Sequence, residues 1–363
     1  MKFLSLQLEG FGLDFSDLCL RAVKLKKRGR FLDLASWKDL EIEEGVIKDG
    51  EIQKEEKLVR HIKEMVSKIE GEKLKTKYVV ASLPEKKAFL QVIRVPKMNL
   101  EELAGAIPFE AENYVPLPIE EVYLDFQMVS LAPDSADHFD VLIAALSKQT
   151  VDSYVYCIKK AGLIPKALEV ESQSIVRALI KNNVSPFPVF IIDFGRSRTS
   201  FIIFSGQSLR FTSSVPLSSH QFSEAIAKEF KITIGEAEKL KIKYGLHSSS
   251  GGIESKRVAQ SIVPLLLEMT EEARKYINYY HNHVNIPDSL GGGKIKKILL
   301  CGRGANLFDL PGFIASELKI PVERANPWVN ILSKSVKKVP KLEFNESLGY
   351  TTALGLALRA SQE

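Results

Sequence analysis

Two carboxylates stand where an apolar strand runs into a short polar turn: Asp14 in GLDFSD and Asp193 in IIDFGRSRTS. A carboxylate at such a turn can hold a hydrated Mg2+, while backbone N–H groups of small residues donate to phosphate oxygens. Two such turns facing each other would grip the tail of a nucleotide. The second turn, Gly195-Arg196-Ser197-Arg198-Thr199, suits an anion, because it combines a glycine, two hydroxyls and two cations. The first offers Ser16, but Asp17 and Leu18 then put a carboxylate and an apolar side chain where a triphosphate needs donors. Leu300-Cys301-Gly302-Arg303-Gly304-Ala305 is a glycine turn between strand and helix that lets backbone lie against an adenine or ribose face. It ends in Leu307, so it is a weak dinucleotide fingerprint. Glu238 and Lys241 lie three apart on one helical face and could clasp ribose hydroxyls, although such a spacing is more often a surface ion pair.

Other chemistries are poorly represented. The chain contains no H-E-x-x-H, C-x-x-C or G-x-S-x-G pattern, and Gly293-Lys294 is followed by Ile295 rather than the Ser or Thr of a Walker sequence. His281-Asn282-His283 reads as an exposed helix end, where His suits the dipole. Glu169, Glu171 and Gln173, near a helix start, could position a water for phosphate hydrolysis, yet acids are common there for dipole reasons alone. Cys19, Cys157 and Cys301 are too few and scattered for a disulfide framework or a metal site. The formal net charge of +5 spreads 50 Lys and Arg among 45 Asp and Glu, so no global basic field argues for nucleic acid. One local cluster, Arg21 to Arg30, reads as a solvated hairpin turn about Gly29, the rival being contact with an anionic membrane surface. The segment MKFLSLQLEGFGLDF is broken by Glu9 and Asp14 and does not read as a signal peptide, and no apolar run approaches bilayer length.

The elements that must position these residues alternate between strand and helix. Residues 3 to 8 and 19 to 25 read as strands flanking the first turn, and IIDFGRSRTSFIIF repeats the design. Aligning Asp14 with Asp193 places Phe15 on Phe194, Ser16 on Gly195 and Val23 on Ile202, which suggests a duplicated α/β fold with facing lobes. Helices are expected at 55 to 69, 99 to 113, 150 to 161, 169 to 181, 219 to 230, 235 to 243 and 256 to 283. Residues 77 to 147 read as a distinct block of four strands with one helix, in which Pro108 makes a kink or a break.

With these segments in hand, the chain resembles the PilM family, actin-like proteins of type IV pilus assembly related to FtsA. The likeness rests on FGLDFSDLCLRAVKL, VPKMNLEELAGAIPFEAENYVPLPIEEVYLDFQMV, IIDFGRSRTSFIIF, FSEAIAKEFKITIGEAEKLKIKYG, LLCGRGANLFDLPGFIASELKIPVERANPWVNI and LGYTTALGLALR, in that order. The resemblance implies an actin-like ATPase fold, ribonuclease H-like and duplicated. Its first lobe would be 1–187, with an inserted β-rich subdomain at 86–163, and its second 188–335, with a helical subdomain at 226–293. A C-terminal helix within 336–363 would return to the first lobe. It further implies ATP with Mg2+ at Asp14 and Asp193, phosphates at Ser16, Gly195, Ser197 and Thr199, ribose at Glu238 and Lys241, and adenosine at Gly302, Gly304 and Ala305. The implied partners are the cytoplasmic N-terminal peptide of a PilN-like membrane protein and other components of the pilus inner-membrane complex, with self-association left open. Nucleotide would act mainly as a structural ligand of a cytoplasmic scaffold held at the inner membrane through its partner. This sequence departs from the family at Ser16-Asp17-Leu18, at Ser218-Ser219 where a Gly pair is usual, and at Arg303. A GspL-like secretion scaffold, an actin-fold small-molecule kinase or phosphatase and a cytoskeletal filament are the alternatives.

Overall fold

Strands of alternating apolar residues and helices with one apolar stripe build most of the chain. The computed structural model describes residues 9–29, 31–129, 138–247, 252–283, 293–332 and 341–362, and the strand expected at 3 to 8 lies outside them. The chain splits into two compact units. One is Met1–Asn183 with Pro327–Leu342 and Tyr350–Glu363; the other is Val184–Asn326 with Glu343–Gly349.

The first unit opens with a meander of β1 (Gly10–Phe15), β2 (Cys19–Arg28) and β3 (Phe31–Glu41). Gly29, at φ 64°, closes the basic β2–β3 hairpin. The ribbon β4 (Ile47–Lys48) and β5 (Glu51–Ile52) leads to α1 (Glu55–Ser67), β6 (Glu70–Gly71) and β7 (Tyr78–Leu83). Next come β8 (Phe89–Pro96), α2 (Leu100–Ala111), β9 (Val122–Met128) and β10 (His138–Ser147), followed by α3 (Lys148–Lys160), β11 (Ile164–Val170) and α4 (Glu171–Leu179). Six strands form one sheet in the order β11-β7-β1-β2-β3-β6, parallel where β7 meets β1 and β11.

The block expected at 77 to 147 divides. Pro84 follows β7, and β7 pairs with β1 and β11 in the main sheet rather than with β8, β9 or β10. Strands β8, β10 and β9 form a separate three-stranded sheet whose core, including Ile93, Val95, Val141 and Ile143, is closed by Leu103 and Ile107 of α2. That helix begins in a capping box, in which Asn99 accepts from the Glu102 amide and Glu102 from the Asn99 amide, and it continues through Pro108. Helix α3, by contrast, packs into the main core through Val151, Tyr154, Cys157 and Ile158, because its apolar residues recur every three or four positions.

The second unit repeats the plan. It comprises β12 (Ser185–Phe194), β13 (Thr199–Gly206), β14 (Ser208–Val215), α5 (Ser219–Phe230), α6 (Ile234–Tyr244), α7 (Gly252–His283), β15 (Lys297–Cys301), α8 (Leu310–Leu318), β16 (Val322–Arg324) and α9 (Phe344–Ser347). Its sheet order, β14-β13-β12-β15-β16, is that of β3-β2-β1-β7-β11. Phe190, Phe194, Phe201, Phe222 and Ile262 fill its core.

Helix α10 (Thr351–Gln362) belongs to the first unit and is buried along almost its whole length. It lies so close to β1 that a Cβ on Gly12 would stand 2.5 Å from the Ala353 carbonyl oxygen. Glu169, at the end of β11, accepts from Arg177 Nη2 at 2.9 Å and from Arg359 Nη1 of α10 at 2.8 Å, and so ties the helix to the sheet. Among the described residues, no helix is long and apolar enough to cross a membrane.

Candidate functional site

The first acidic turn is Ser16–Leu18. Strand β1 begins at Gly10 and takes in GLDF, so Asp14 is a strand residue, placed beyond the boundary expected from the pattern. Cross-strand register sets Asp14 opposite Arg21 of β2, and the guanidinium lies 3.9 Å from the carboxylate. Ser82, at the end of β7, donates from its hydroxyl to Asp14 Oδ1 at 3.0 Å and accepts from the Phe15 amide at 2.8 Å. Arg21 also donates to Asp39 at 3.4 Å. Burial disfavours the Arg21 cation, but Cys19, Asp39 and Asp14 outweigh it and hold its pKa above the usual value. Asp17, the carboxylate that looked adverse to phosphate, accepts from the backbone amides of Asp49 at 2.9 Å and Gly50 at 3.0 Å and so caps the β4–β5 ribbon. The Ser16 amide donates to the Cys19 carbonyl, closing the turn on itself.

The second turn has a different neighbourhood. Asp193 faces Ser200 across the hairpin, and Cys301, in the position that Ser82 holds in the first unit, lies with its sulfur 3.6 Å from Asp193 Oδ1. Gly302 has φ 80°, and a Cβ there would stand 2.5 Å from both Asp193 Oδ1 and the Phe194 carbonyl oxygen. Its glycine is therefore required by the approach of β12. Gly304 backs onto the Phe194 ring, and Ala305 is buried in the core.

The donors of this turn are largely spent within the protein. The Gly195 amide points to the Asp193 and Arg198 carbonyls, and Thr199 donates its hydroxyl to the Leu217 carbonyl at 2.7 Å. Ser218 caps α5 by exchanging hydrogen bonds with Gln221, and the first helical amides, Ser219 and His220, donate to the carbonyls of Gly195 and Arg196. A helix N-terminus that would otherwise face an anion thus closes on its own turn. Arg198 reaches Ser214 at 3.1 Å, and Arg196 and Ser197, half-buried beside it, are also engaged.

Glu238 and Lys241 of α6 are brought together, 2.7 Å apart, but as a tie between two helices. Lys241 donates to the Ser219 carbonyl at 2.7 Å and the Ser223 hydroxyl at 2.9 Å, and Ser223 donates to Glu238. Burial lowers the Lys241 pKa, partly offset by Glu238. For Glu238 burial acts upward, but Lys241 and the Ser223 hydroxyl prevail and hold the carboxyl below its usual value. His281, at the end of α7, accepts the Ile295 amide at 3.3 Å.

A cavity of about 540 Å³ opens in the first unit, between the three-stranded sheet and the main sheet. Leu83, Leu146, Val151, Val155 and Leu168 supply apolar wall, and β9 and β11, each at the end of its sheet, flank it. Glu169, read as a possible water-positioning acid, is instead held by Arg177 and Arg359. Arg21, expected in a solvated basic hairpin turn, is instead buried against Asp14 and Asp39, and nothing in the sequence pointed to the cavity. Hairpin register could have found the first, since Arg21 and Asp14 mirror each other about the turn; the cavity arises from β9, α3 and β11 and has no local signature.

The sequence model of the family described as "Type IV pilus assembly protein PilM" matches residues 12–361. A chain of the solved PilM-PilN type IV pilus biogenesis complex is 26% identical, covers 98% of this chain and 99% of its own length, and superposes with a TM-score of 0.80. MreB5 of Spiroplasma citri, solved bound to ADP, is 12% identical over 94% of each chain at a TM-score of 0.56, a likeness of fold. Cell division protein FtsA of Helicobacter pylori is 25% identical over 113 residues, 31% of this chain and 23% of its own length. The fold is that of the actin-like proteins.

Proposed function

This chain belongs to the PilM family of type IV pilus assembly proteins, and from that premise we propose that it is an actin-like scaffold of the pilus machine which holds the N-terminal tail of a PilN-like membrane protein in the cavity of its first unit. The observation that carries this reading is the cavity itself, with Val151 and Val155 of α3 in its wall and room for several side chains. Attachment to the inner membrane comes through that partner and places the scaffold on the cytoplasmic face. The PilM-PilN complex, matched over 98% of this chain, supports the same choice of partner.

Nucleotide has a lesser part. Asp14 engages Arg21 and Ser82, and the amides of Gly195, Ser219 and His220 already donate to backbone carbonyls. These residues as arranged do not fit a tightly held Mg2+-ATP, since each lost or repelling phosphate contact weakens affinity by about 1 to 3 kcal/mol. We assign ATP the part of a weak structural ligand, with Glu238, Lys241, Gly302, Gly304 and Ala305 on its ribose and adenosine side, and we assign no hydrolytic step.

Fluorescence anisotropy with a labelled peptide of the cytoplasmic N-terminal tail of a PilN-like protein tests the scaffold reading. The full chain should bind it saturably, and Val155→Asp should weaken binding at least about tenfold. Equal affinity of the two would refute placement in the cavity.

A further inference from the structure

The charges around the first unit's cavity are sorted by end. Among the described residues, five charged ones line it: Asp125, Asp152, Lys159, Lys166 and Glu169. Glu169 is neutralised by two arginines, which leaves two carboxylates and two ammonium groups. Asp152 lies in the first turns of α3, where Tyr123 of β9 donates its hydroxyl to Asp152 Oδ1 at 3.0 Å. Asp125 sits two residues along β9 from that tyrosine. Lys159 lies at the other end of α3, and the short Ala161–Leu163 connection brings β11 back past it with Lys166 near its start. Asp152 and Lys159 are both exposed, and Lys148, whose Nζ stands 5.8 Å from the Tyr123 ring centroid, is not part of the lining.

The floor between these ends is apolar. Val151 and Val155 lie on one face of α3, Leu168 and Val170 come from β11, and Leu146 from β10. Asp152 and Lys159 lie seven helical positions apart, a rise of about 10 Å, which an extended peptide covers in about three residues. Among the described residues, strand β11 pairs only with β7 and β9 only with β10, so each borders the cavity with an edge that another strand can join.

We infer that the cavity reads the charge order of its occupant: an extended peptide segment with a basic group at the Asp125–Asp152 end, an acidic group at the Lys159–Lys166 end about three residues away, and apolar side chains between. The inference rests on the peptide-holding reading above and adds to it a polarity. Opposed charges at the two ends favour one threading of the peptide and oppose the reverse, which is how rim charges give specificity rather than bulk affinity.

An array of synthetic ten-residue peptides tests it, with two central leucines fixed and a Lys and a Glu placed three residues apart in either order. The full chain is compared with the charge-exchanged double variant Asp152→Lys, Lys159→Glu, both sites being exposed. One order should be retained about tenfold better by the native chain, and that preference should be lost in the double variant, where each end carries one charge of either sign. Val155→Asp, or Ala144→Glu as a second way to fill the cavity, should abolish retention of both orders. Equal retention of both orders by the native chain, lost on blocking the cavity, overturns the charge reading and leaves the groove. Retention that neither blocking variant reduces, or none at all, overturns both.

Discussion

The two acidic turns occupy the same place in sheets of the same strand order, yet they are built on different electrostatics. In the first unit a buried arginine stands opposite the aspartate, and a serine hydroxyl holds the carboxylate from the neighbouring parallel strand. In the second unit a serine stands opposite, and a cysteine sulfur takes the neighbouring position. Topology is therefore shared, while the means of satisfying the carboxylate is not. The first turn carries its own counter-cation and has become part of the unit's interior. At the second turn the backbone itself is pressed close, with Gly302 forced into the left-handed region so that β15 can end against Asp193 and Phe194.

Arg21→Met breaks this comparison most strongly. It leaves Asp14 and Asp39 without the cation between them, and chemical denaturation should record a loss of about 3 to 5 kcal/mol. A loss below about 1 kcal/mol would mean that the cation is not structural. Gly302→Ala acts on the other turn, where a Cβ meets carboxylate and carbonyl at a positive φ. The expected cost is about 3 kcal/mol, seen as a lower thermal midpoint, with overpacking and backbone strain both contributing.

Acid titration sharpens the contrast on a smaller scale. Glu238 has its folded pKa below the ordinary value of 4.5, so its stabilisation is present above that pH and is lost as pH falls through the folded value. Glu238→Gln should flatten that part of the acid limb by about 0.5 kcal/mol, the carboxylate being partly exposed and screened. Smallest of all is Ser200→Ala, the positional counterpart of Arg21, which should change stability by less than about 0.5 kcal/mol in the same denaturation experiment.

The sequence made the duplication legible because hairpin chemistry is local. Asp-Phe followed by four residues gives the same register twice, with Phe15 opposite Leu20 and Phe194 opposite Thr199. Helices α1 and α7 were likewise visible in their apolar spacing. The strand boundary at Gly10 was not, because GLDFSD reads as an acidic turn until α10, more than three hundred residues later, is seen to demand a glycine at position 12. The same non-local cause hid the break between β7 and β8, which look alike as apolar runs but join different sheets. Residues suited to phosphate, Gly195 and Thr199 among them, were recognised by type. What type alone could not reveal is that their donors are consumed by Asp193, Arg198 and Leu217 carbonyls. The cavity had no counterpart in any local pattern, because its lining is assembled from β9, β10, α3 and β11.

Isothermal titration of the purified chain with Mg2+-ATP, with phosphate release followed in parallel, tests most directly whether a scaffold has been retained on a weakened nucleotide site. The account predicts a dissociation constant of about 100 µM or weaker, corresponding to about −5.5 kcal/mol, and no phosphate release above the buffer rate. Binding near 1 µM accompanied by steady turnover would contradict it.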